Sequence, residues 1–313
     1  MKRWGIVATI KAEAREILKF AAYHIEAGAH RLFLYLDTPC PAAMAPLTAH
    51  PKVRITLCDD GYWNRNHGYR PKKHQVRQAL NATRAYQKQA RDVDWLTHLD
   101  VDEFISGPAP LAAVLEAQPA DRRALRLRPV EALSGSETHF KRFLGNAPET
   151  RDLIDEVYPE FGRYLRGGFL SHLQGKVLLR TDLGAVDVKI HSGFLNGEIP
   201  APDLQGWDLC HFHSRDWDSW LAHFHYRLER GSYRAGLAAA RPNATPLHNT
   251  LSVLYAEEGD DGLRRFFTEV CADAPALRER LQRANALTEH QLNLQELCNR
   301  HFPEFGQSAP NTG

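Results

Sequence analysis

An apolar stretch that runs straight into acid constrains this chain most: Asp94-Trp95-Leu96-Thr97-His98-Leu99 is followed by Asp100, Asp102 and Glu103. The apolar part reads as an interior β-strand, and an unpaired carboxylate is very costly to bury. The acids therefore belong at the strand's carboxyl end, the edge at which open α/β sheets bind their ligands. An Asp-x-Asp pair offers the hard oxygen donors that Mg²⁺ or Mn²⁺ takes together with phosphate oxygens. A metal-held nucleotide is the expected ligand.

The remaining pattern builds a sheet around that strand. Gly5–Ile10 reads as a strand, and a helical recurrence over Ala12–Ala27 places Ile17, Leu18, Phe20, Ala21 and Ile25 on one face. Arg31–Leu36 is a second buried strand, closed by Asp37, and Val53–Leu57 a third. Lys72–Ala90 reads as a long helix with a polar face, and Asp94–Leu99 is the fourth strand. Strands that alternate with helices predict an α/β protein with a mixed, mostly parallel sheet flanked by helices.

Beyond Glu103, Pro108 and Pro110 break the chain, Leu111–Gln118 reads as a helix and Ala124–Pro129 as a strand. Val130–Gly175 carries little periodicity and reads as loops forming an acceptor-facing wall. Lys176–Arg180 and Val186–His191 read as strands flanking a turn at Asp182-Leu183-Gly184, and Trp217–Arg230 as an amphipathic helix capped by Gly231. Leu263–Leu297 is expected to be a largely helical extension. The division expected is a catalytic domain over 1–231, a helical region over 232–305 and a disordered tail over 306–313.

With 43% hydrophobic residues among 313, the chain can bury a core. The 39 Lys and Arg against 38 Asp and Glu leave a formal charge of +1, so no global pull toward nucleic acid is expected. The five cysteines have no C-x-x-C spacing and an odd count, which fits reduced thiols in the cytoplasm rather than a disulfide framework. No run approaches the roughly 18 apolar residues of a membrane span, so the expected location is the cytoplasm, or the inner face of a membrane as a peripheral protein.

Further chemistry-bearing positions join the acids. Leu209-Cys210-His211-Phe212-His213 places two imidazoles on one side of a strand. Neutral imidazole is a common metal ligand, so one of the two is expected to complete a shell with Asp100, Asp102 and phosphate oxygens. A structural zinc site wants four protein ligands, and Cys210 alone does not build one. Thr9, Lys11 and Glu13 lie where strand one meets helix one, a place that favours an anion or the polar edge of a base. Asp37 ends the neighbouring strand and is placed to accept from uracil or ribose, while Arg70, Lys72, Lys73 and Gln75 stand within reach of the nucleotide. Lys176, Arg180 and Arg166 are candidates for a diphosphate clamp. Trp63, Tyr69, Trp207 and Trp217 are candidate sugar platforms.

Three blocks also resemble a known family. Ile10-Lys11-Ala12-Glu13, Ile17-Leu18-Lys19-Phe20-Ala21-Ala22-Tyr23-His24 and Gly28 to Asp37 are similar to the opening of family 2-like glycosyltransferases, which reads "KNE…ILEW.AYH…G…IYDN". Asp94 to Phe104 resembles that group's "DW…DxDEF", and His211-Phe212 with Ser219-Trp220-Leu221 and Arg230-Gly231 resembles its late "HY…S..eF..K..rG". The blocks fall in the family's order over roughly three quarters of the chain. The resemblance implies a GT-A (Rossmann-like) fold, a nucleotide-sugar donor and a divalent metal. Carried over by position, Glu13 and Asp37 contact the nucleoside, Asp102 ligates the metal, Asp100 touches ribose or metal, and His211 is the late metal ligand. Ala12 stands where the pattern has Asn, Leu36-Asp37-Thr38-Pro39 replaces the Asp-Asn run, and His225-Tyr226-Arg227-Leu228 replaces the late Lys region.

The chemistry expected is transfer of a sugar from a nucleotide-sugar, a UDP-sugar first, to a glycan or other hydroxyl acceptor, with inversion, in envelope or extracellular polysaccharide synthesis. Mn²⁺ or Mg²⁺ neutralises the leaving diphosphate while a base deprotonates the acceptor. Glu131, Glu137, His172 and His191 lie where an acceptor-side base falls. Two rivals stand beside this reading: a nucleotidyltransferase, disfavoured because Thr9-Ile10-Lys11-Ala12-Glu13 has no phosphate-loop glycine, and a silent carbohydrate- or metal-binding module of an envelope-assembly complex.

Overall fold

The computed structural model describes residues 1–242 and 244–306; the tail after Gly306 lies outside the described residues. From the start run β1 (Trp4–Ile10), α1 (Ala14–Glu26), β2 (Arg31–Leu36), α2 (Pro41–Ala49), β3 (Val53–Leu57), α3 (Asp60–His67), α4 (His74–Arg84) and β4 (Trp95–His98). Past the acids follow β5 (Glu103–Ser106), α5 (Leu111–Glu116), β6 (Ala124–Ala132), β7 (His139–Lys141) and α6 (Arg151–Val157). Next come β8 (Lys176–Arg180), β9 (Asp187–Val188), β10 (Gly193–Phe194), β11 (Asp203–His211), α7 (Trp217–Glu229) and α8 (Leu247–Val270). The last are α9 (Pro275–Arg283), β12 (Leu287–Glu289), α10 (Leu294–His301) and α11 (Pro303–Gly306). Among the described residues no helix is long and apolar enough to cross a membrane.

The chain forms two compact units, each assembled from separated stretches. The first contains Met1–Arg128, Gln174–Leu209 and the chain from Leu292 onward; the second contains Pro129–Leu173 and Cys210–Gln291. These boundaries are discontinuous in sequence, unlike the single cut after Gly231, because β6 and β11 each begin in one unit and end in the other.

In the first unit β1 is the central strand, and all seven of its residues are buried. It pairs in parallel with β2 on one side and β4 on the other, and β3 extends the parallel set beyond β2. Beyond β4 the sheet turns antiparallel through β8 and the first half of β6. The α/β class with a mixed sheet flanked by helices is therefore what the chain adopts, its parallel half at the N-terminus. In the register, Val7 lies opposite His98 and Ile10 opposite Leu36. The three strands thus end on one edge, and Leu99 N–H still donates to the Val7 carbonyl at 3.1 Å.

The expected helix over Lys72–Ala90 is α4 followed by a wide π-helical turn at Ala85–Gln89. The expected strand at Val186–His191 is corrected. Only Asp187–Val188 is a strand, and it pairs with β10 rather than with β8. The reason is local: Thr83 Oγ1 of α4 donates to the Val188 carbonyl and accepts from its N–H, at 3.2 and 2.9 Å. α10 packs on α1, with Arg15 donating to Gln295 and Arg300 to Glu26.

The second unit places the end of β6 beside β7, and β7 beside β12, all antiparallel. Its core gathers Trp220, Phe224, Phe266, Phe267 and Tyr158 from α6, α7, α8 and the following turns. Asp216 caps α7 by accepting from Ser219 N–H at 2.7 Å, and α8 breaks at Gly259, where φ is 60°.

Candidate functional site

The acids of the opening stretch form a closed turn at the carboxyl edge of β4. Glu103 N–H donates to the Asp100 carbonyl at 3.1 Å, and the Glu103 carboxylate accepts from Asp100 N–H at 2.8 Å. Turn and side chain lock each other.

A cation is built into this turn. Lys176, the first residue of β8 and 0% exposed, reaches Asp100 at 2.6 Å and Glu103 at 3.2 Å. Burial alone pulls an ammonium group down, yet the charges and hydrogen bonds of Asp100 and Glu103 outweigh it and hold Lys176 above its ordinary range. Its expected role as a phosphate clamp is corrected: a diphosphate would have to displace two carboxylates to reach it. Arg180 is corrected likewise, since it donates to the Arg122 and Pro119 carbonyls and stacks on Trp95.

Asp100 is engaged on both oxygens, because Gln78 Nε2 donates to Oδ1 while Lys176 holds Oδ2. Gln78 and Asn81 stand three apart on α4 and share its buried face. Asn81 donates to Thr9 Oγ1 at 3.0 Å, which fixes the end of β1. The expected Gln75 is exposed one turn earlier, while Lys11 and Glu13 are exposed where β1 gives way to α1. Asp102 is half-buried in the turn. Three carboxylates against one ammonium leave this edge anionic, and hard oxygen donors on a negative turn fit a divalent cation.

The end of β2 holds the opposite charge. Asp37 is 3% exposed and accepts from Arg77, at 3.0 and 2.6 Å, and from Arg70 at 3.1 Å. Burial favours its neutral form, but hydrogen bonds from His74 and Arg77 and the charges of Arg77 and Arg70 hold it well below the usual carboxylate range. Its acceptor capacity is taken, so a nucleoside at this corner meets Arg70 and His74 first. At the end of β4, His98 is 3% exposed with no hydrogen-bond partner on either ring nitrogen among the described residues. Burial, then the charge of Lys176, push its pKa down to about 4.

The second unit holds the remaining candidates. Glu131 is corrected as a base: it is buried, pairs with Lys141 at 3.2 Å and accepts from Leu170 and Ser171 N–H. Burial raises its pKa, but the Lys141 charge and the bonds from Ser171 win and bring it down to about 2. Lys141 is satisfied in turn by the Gly168 and Val270 carbonyls at 2.7 and 2.8 Å. Glu137 is exposed, and Arg166 is exposed and donates to the Ala238 carbonyl at 3.0 Å. His211, at the end of β11, and His172 are stacked, with ring centroids 5.4 Å apart and planes at 29°. His213 sits edge-on to His211 and close to Tyr233 Oη, at 3.3 Å. Burial, then the charge of Arg227, hold it well below the ordinary histidine range, so it is neutral.

In the first unit His191 meets the Gly175 carbonyl through Nδ1 at 2.7 Å and accepts on its own carbonyl from Arg126. Of the aromatic platforms, Trp63 is wholly buried and Trp207 packs on Gly107, so both are core. Trp217 lies under Arg264, and Tyr69 is 64% exposed.

No family model matches the sequence, and no curated protein does. Several solved structures resemble part of it. Glucosyl-3-phosphoglycerate synthase from Mycobacterium tuberculosis is 14% identical, with 58% of each chain covered and a TM-score of 0.29. HddC from Yersinia pseudotuberculosis is 9% identical over 59% of this chain and 79% of its own, at a TM-score of 0.31. The galactosyltransferase LgtC is 12% identical over 56% of this chain and 58% of its own, at 0.27. A mycobacterial protein is matched over 54% of its length, so the chain spans little more than half of several of these neighbours. Likenesses of this size carry no assignment of activity.

Proposed function

We propose that this chain is a metal-dependent glycosyltransferase that moves a sugar from a nucleotide-sugar, a UDP-sugar first, to a hydroxyl acceptor. The observation that carries the reading is the closed acidic turn Asp100–Glu103 at the carboxyl edge of a parallel sheet, the edge where such sheets take nucleotides. The sequence blocks that resemble family 2-like glycosyltransferases support it, and by position the resemblance implies Asp102 as the metal ligand.

A divalent cation at Asp102 would supply neutralising charge for the departing diphosphate. The chain's own residues prepare that position. Lys176 and Gln78 hold Asp100, and Glu103 is locked against Lys176, so the turn is preorganised before donor arrives. Arg70 and His74 offer donors to the nucleoside or its phosphates from the β2 corner.

The test is release of UDP from a panel of UDP-sugars in Mn²⁺, with Asp102→Ala as control. Loss of about 100-fold or more in turnover is expected in the variant. Unchanged turnover, or failure of the intact chain to bind UDP with Mn²⁺ by calorimetry, overturns the reading.

A further inference from the structure

We propose that the loop Gly68–Lys73, which joins α3 to α4, is a docking surface for an anionic lipid bilayer. The inference goes beyond the reading above and does not rest on it, since docking needs neither donor nor cation.

Charge carries it. The chain as a whole is balanced, 39 Lys and Arg against 38 Asp and Glu, yet Gly61–Arg91 holds eight Lys and Arg and no acid. Arg77 turns inward and donates to Asp37 at 2.6 Å, whereas Arg65, Arg70, Lys72 and Lys73 are exposed on and around the loop. The acids just upstream leave most of this charge unopposed. Asp59 caps α3 by accepting from Tyr62 N–H at 2.6 Å, and Asp60 reaches only Arg70, at 3.9 Å. Among the described residues Arg65, Lys72 and Lys73 have no ion-pair partner. On a chain of near-zero net charge, such a cluster attracts an anionic surface locally and orients the molecule on it.

The loop is built to present these groups. Gly68 closes α3 in the left-handed region with φ at 76°, and Pro71 is buried. Arg77 Nη1 donates to the Pro71 and Lys72 carbonyls at 2.7 and 2.9 Å, and Arg70 Nη2 to the Asp37 carbonyl at 2.8 Å. With its backbone pinned from inside, the loop carries Tyr69 at 64% exposure, and Val76 on the first turn of α4 is 41% exposed. A tyrosine ring flanked by Lys and Arg suits the headgroup layer of a bilayer, where the ring lies at the apolar boundary and the cations meet lipid phosphate. A soluble polyanion would satisfy the cations and leave Val76 in water. Exposed apolar side chains elsewhere have the opposite company: Val253 and Tyr255 on α8 are followed by Glu257, Glu258, Asp260 and Asp261.

The experiment needs no donor sugar. The full chain is sedimented with vesicles of phosphatidylcholine alone and with vesicles that also contain phosphatidylglycerol. Binding is expected only to the second kind, and high salt should release it. A surface cation is worth about fivefold in partitioning, so Lys72→Gln and Lys73→Gln together should weaken binding by about 25-fold. Tyr69→Ala should weaken it by about fivefold. Failure of the intact chain to sediment with the anionic vesicles, which requires no variant to fold, overturns the inference. So does a double lysine variant, or a Tyr69→Ala protein, that sediments like the parent. Retention on heparin without vesicle binding would assign the cations to a soluble polyanion and overturn the bilayer. UDP release by a chain that ignores vesicles would sink the docking surface and leave the transferase standing. Vesicle binding without sugar transfer would do the reverse.

Discussion

At the scale of single residues, the buried histidines set how the protein answers acid. His24 is wholly buried, donates from Nδ1 to the Phe20 carbonyl at 2.9 Å, and leaves Nε2 without a partner among the described residues. Burial pushes its pKa from 6.5 down to about 3. The unfolded chain therefore takes up a proton at His24 below pH 6.5 that the folded chain refuses until about pH 3, so this group's contribution falls as pH drops through that window. Between pH 7 and pH 4.5 the loss should be about 2.5 kcal/mol. Urea unfolding of the parent and of His24→Leu at both pH values measures it. The variant should show a drop smaller by about that amount, and equal drops would refute the assignment. The same scale explains what the sequence could not display. Asp100, Asp102 and Glu103 are legible as an acidic turn at a strand end because carboxylates buried in an apolar strand are costly without a partner. That the partner is Lys176, 76 residues on from Asp100, is a tertiary fact with no local signature. Lys176 instead reads as one more candidate phosphate ligand.

Elements carry these residues into place, and Gly175 is where one of them depends on a single backbone position. Gly175 precedes β8 with φ at 66°, and a Cβ there would overlap the Leu127 carbonyl oxygen. β8 meets β6 so closely at this point that Lys176 pairs directly with Leu127 in the register. Gly175→Ala should cost about 3 kcal/mol or more, from the left-handed backbone and the overlap together. It should also loosen the acidic turn, because Lys176 is the next residue. Thermal melting reads the first effect, and calorimetric Mn²⁺ affinity, expected to fall, reads the second. A variant as stable as the parent, with unaltered metal affinity, would show that β8 does not position Lys176. Elements were the most legible level of this chain. β1, α1, β2, β3 and β4 fall within about two residues of the expected bounds: continuous apolar runs mark β1, β2 and β4 as strands buried on both faces, and α1 carries one buried helical face. β9 and the break in α8 do not. A two-residue strand has no period, and its edges are satisfied by Thr83, a neighbour from α4. Gly259 looks like any helical glycine until its φ of 60° is seen.

For the whole molecule, the order of the stretches matters more than their number. Both units are built from pieces that other parts of the chain interrupt, so neither is complete until late segments arrive. The first unit waits for α10, whose Leu294, Leu297 and Cys298 are buried, along with Leu292 and Phe302 on either side. Exposing a buried side chain of this kind costs about 1.5 to 3 kcal/mol each, and a domain's net stability is only about 5 to 15 kcal/mol. Removing everything from Leu292 onward should therefore bring the first unit to the edge of unfolding, although none of its proposed ligands is removed. Cutting at Gly231, the boundary that periodicity suggested, should be worse. It also takes α8 and α9, which supply Phe266, Phe267, Leu277 and Leu281 to the core of the second unit. The expected outcome for a chain of residues 1–231 is loss of the cooperative thermal transition and strong binding of a hydrophobic dye, with secondary structure partly kept. A sharp melting transition in that truncated chain, with UDP and Mn²⁺ still bound, would mean that the N-terminal stretch folds and works alone and that the interleaving is incidental. Loss of the transition on removing α10 alone would instead make the C-terminus an integral part of the first unit, through its packing on α1.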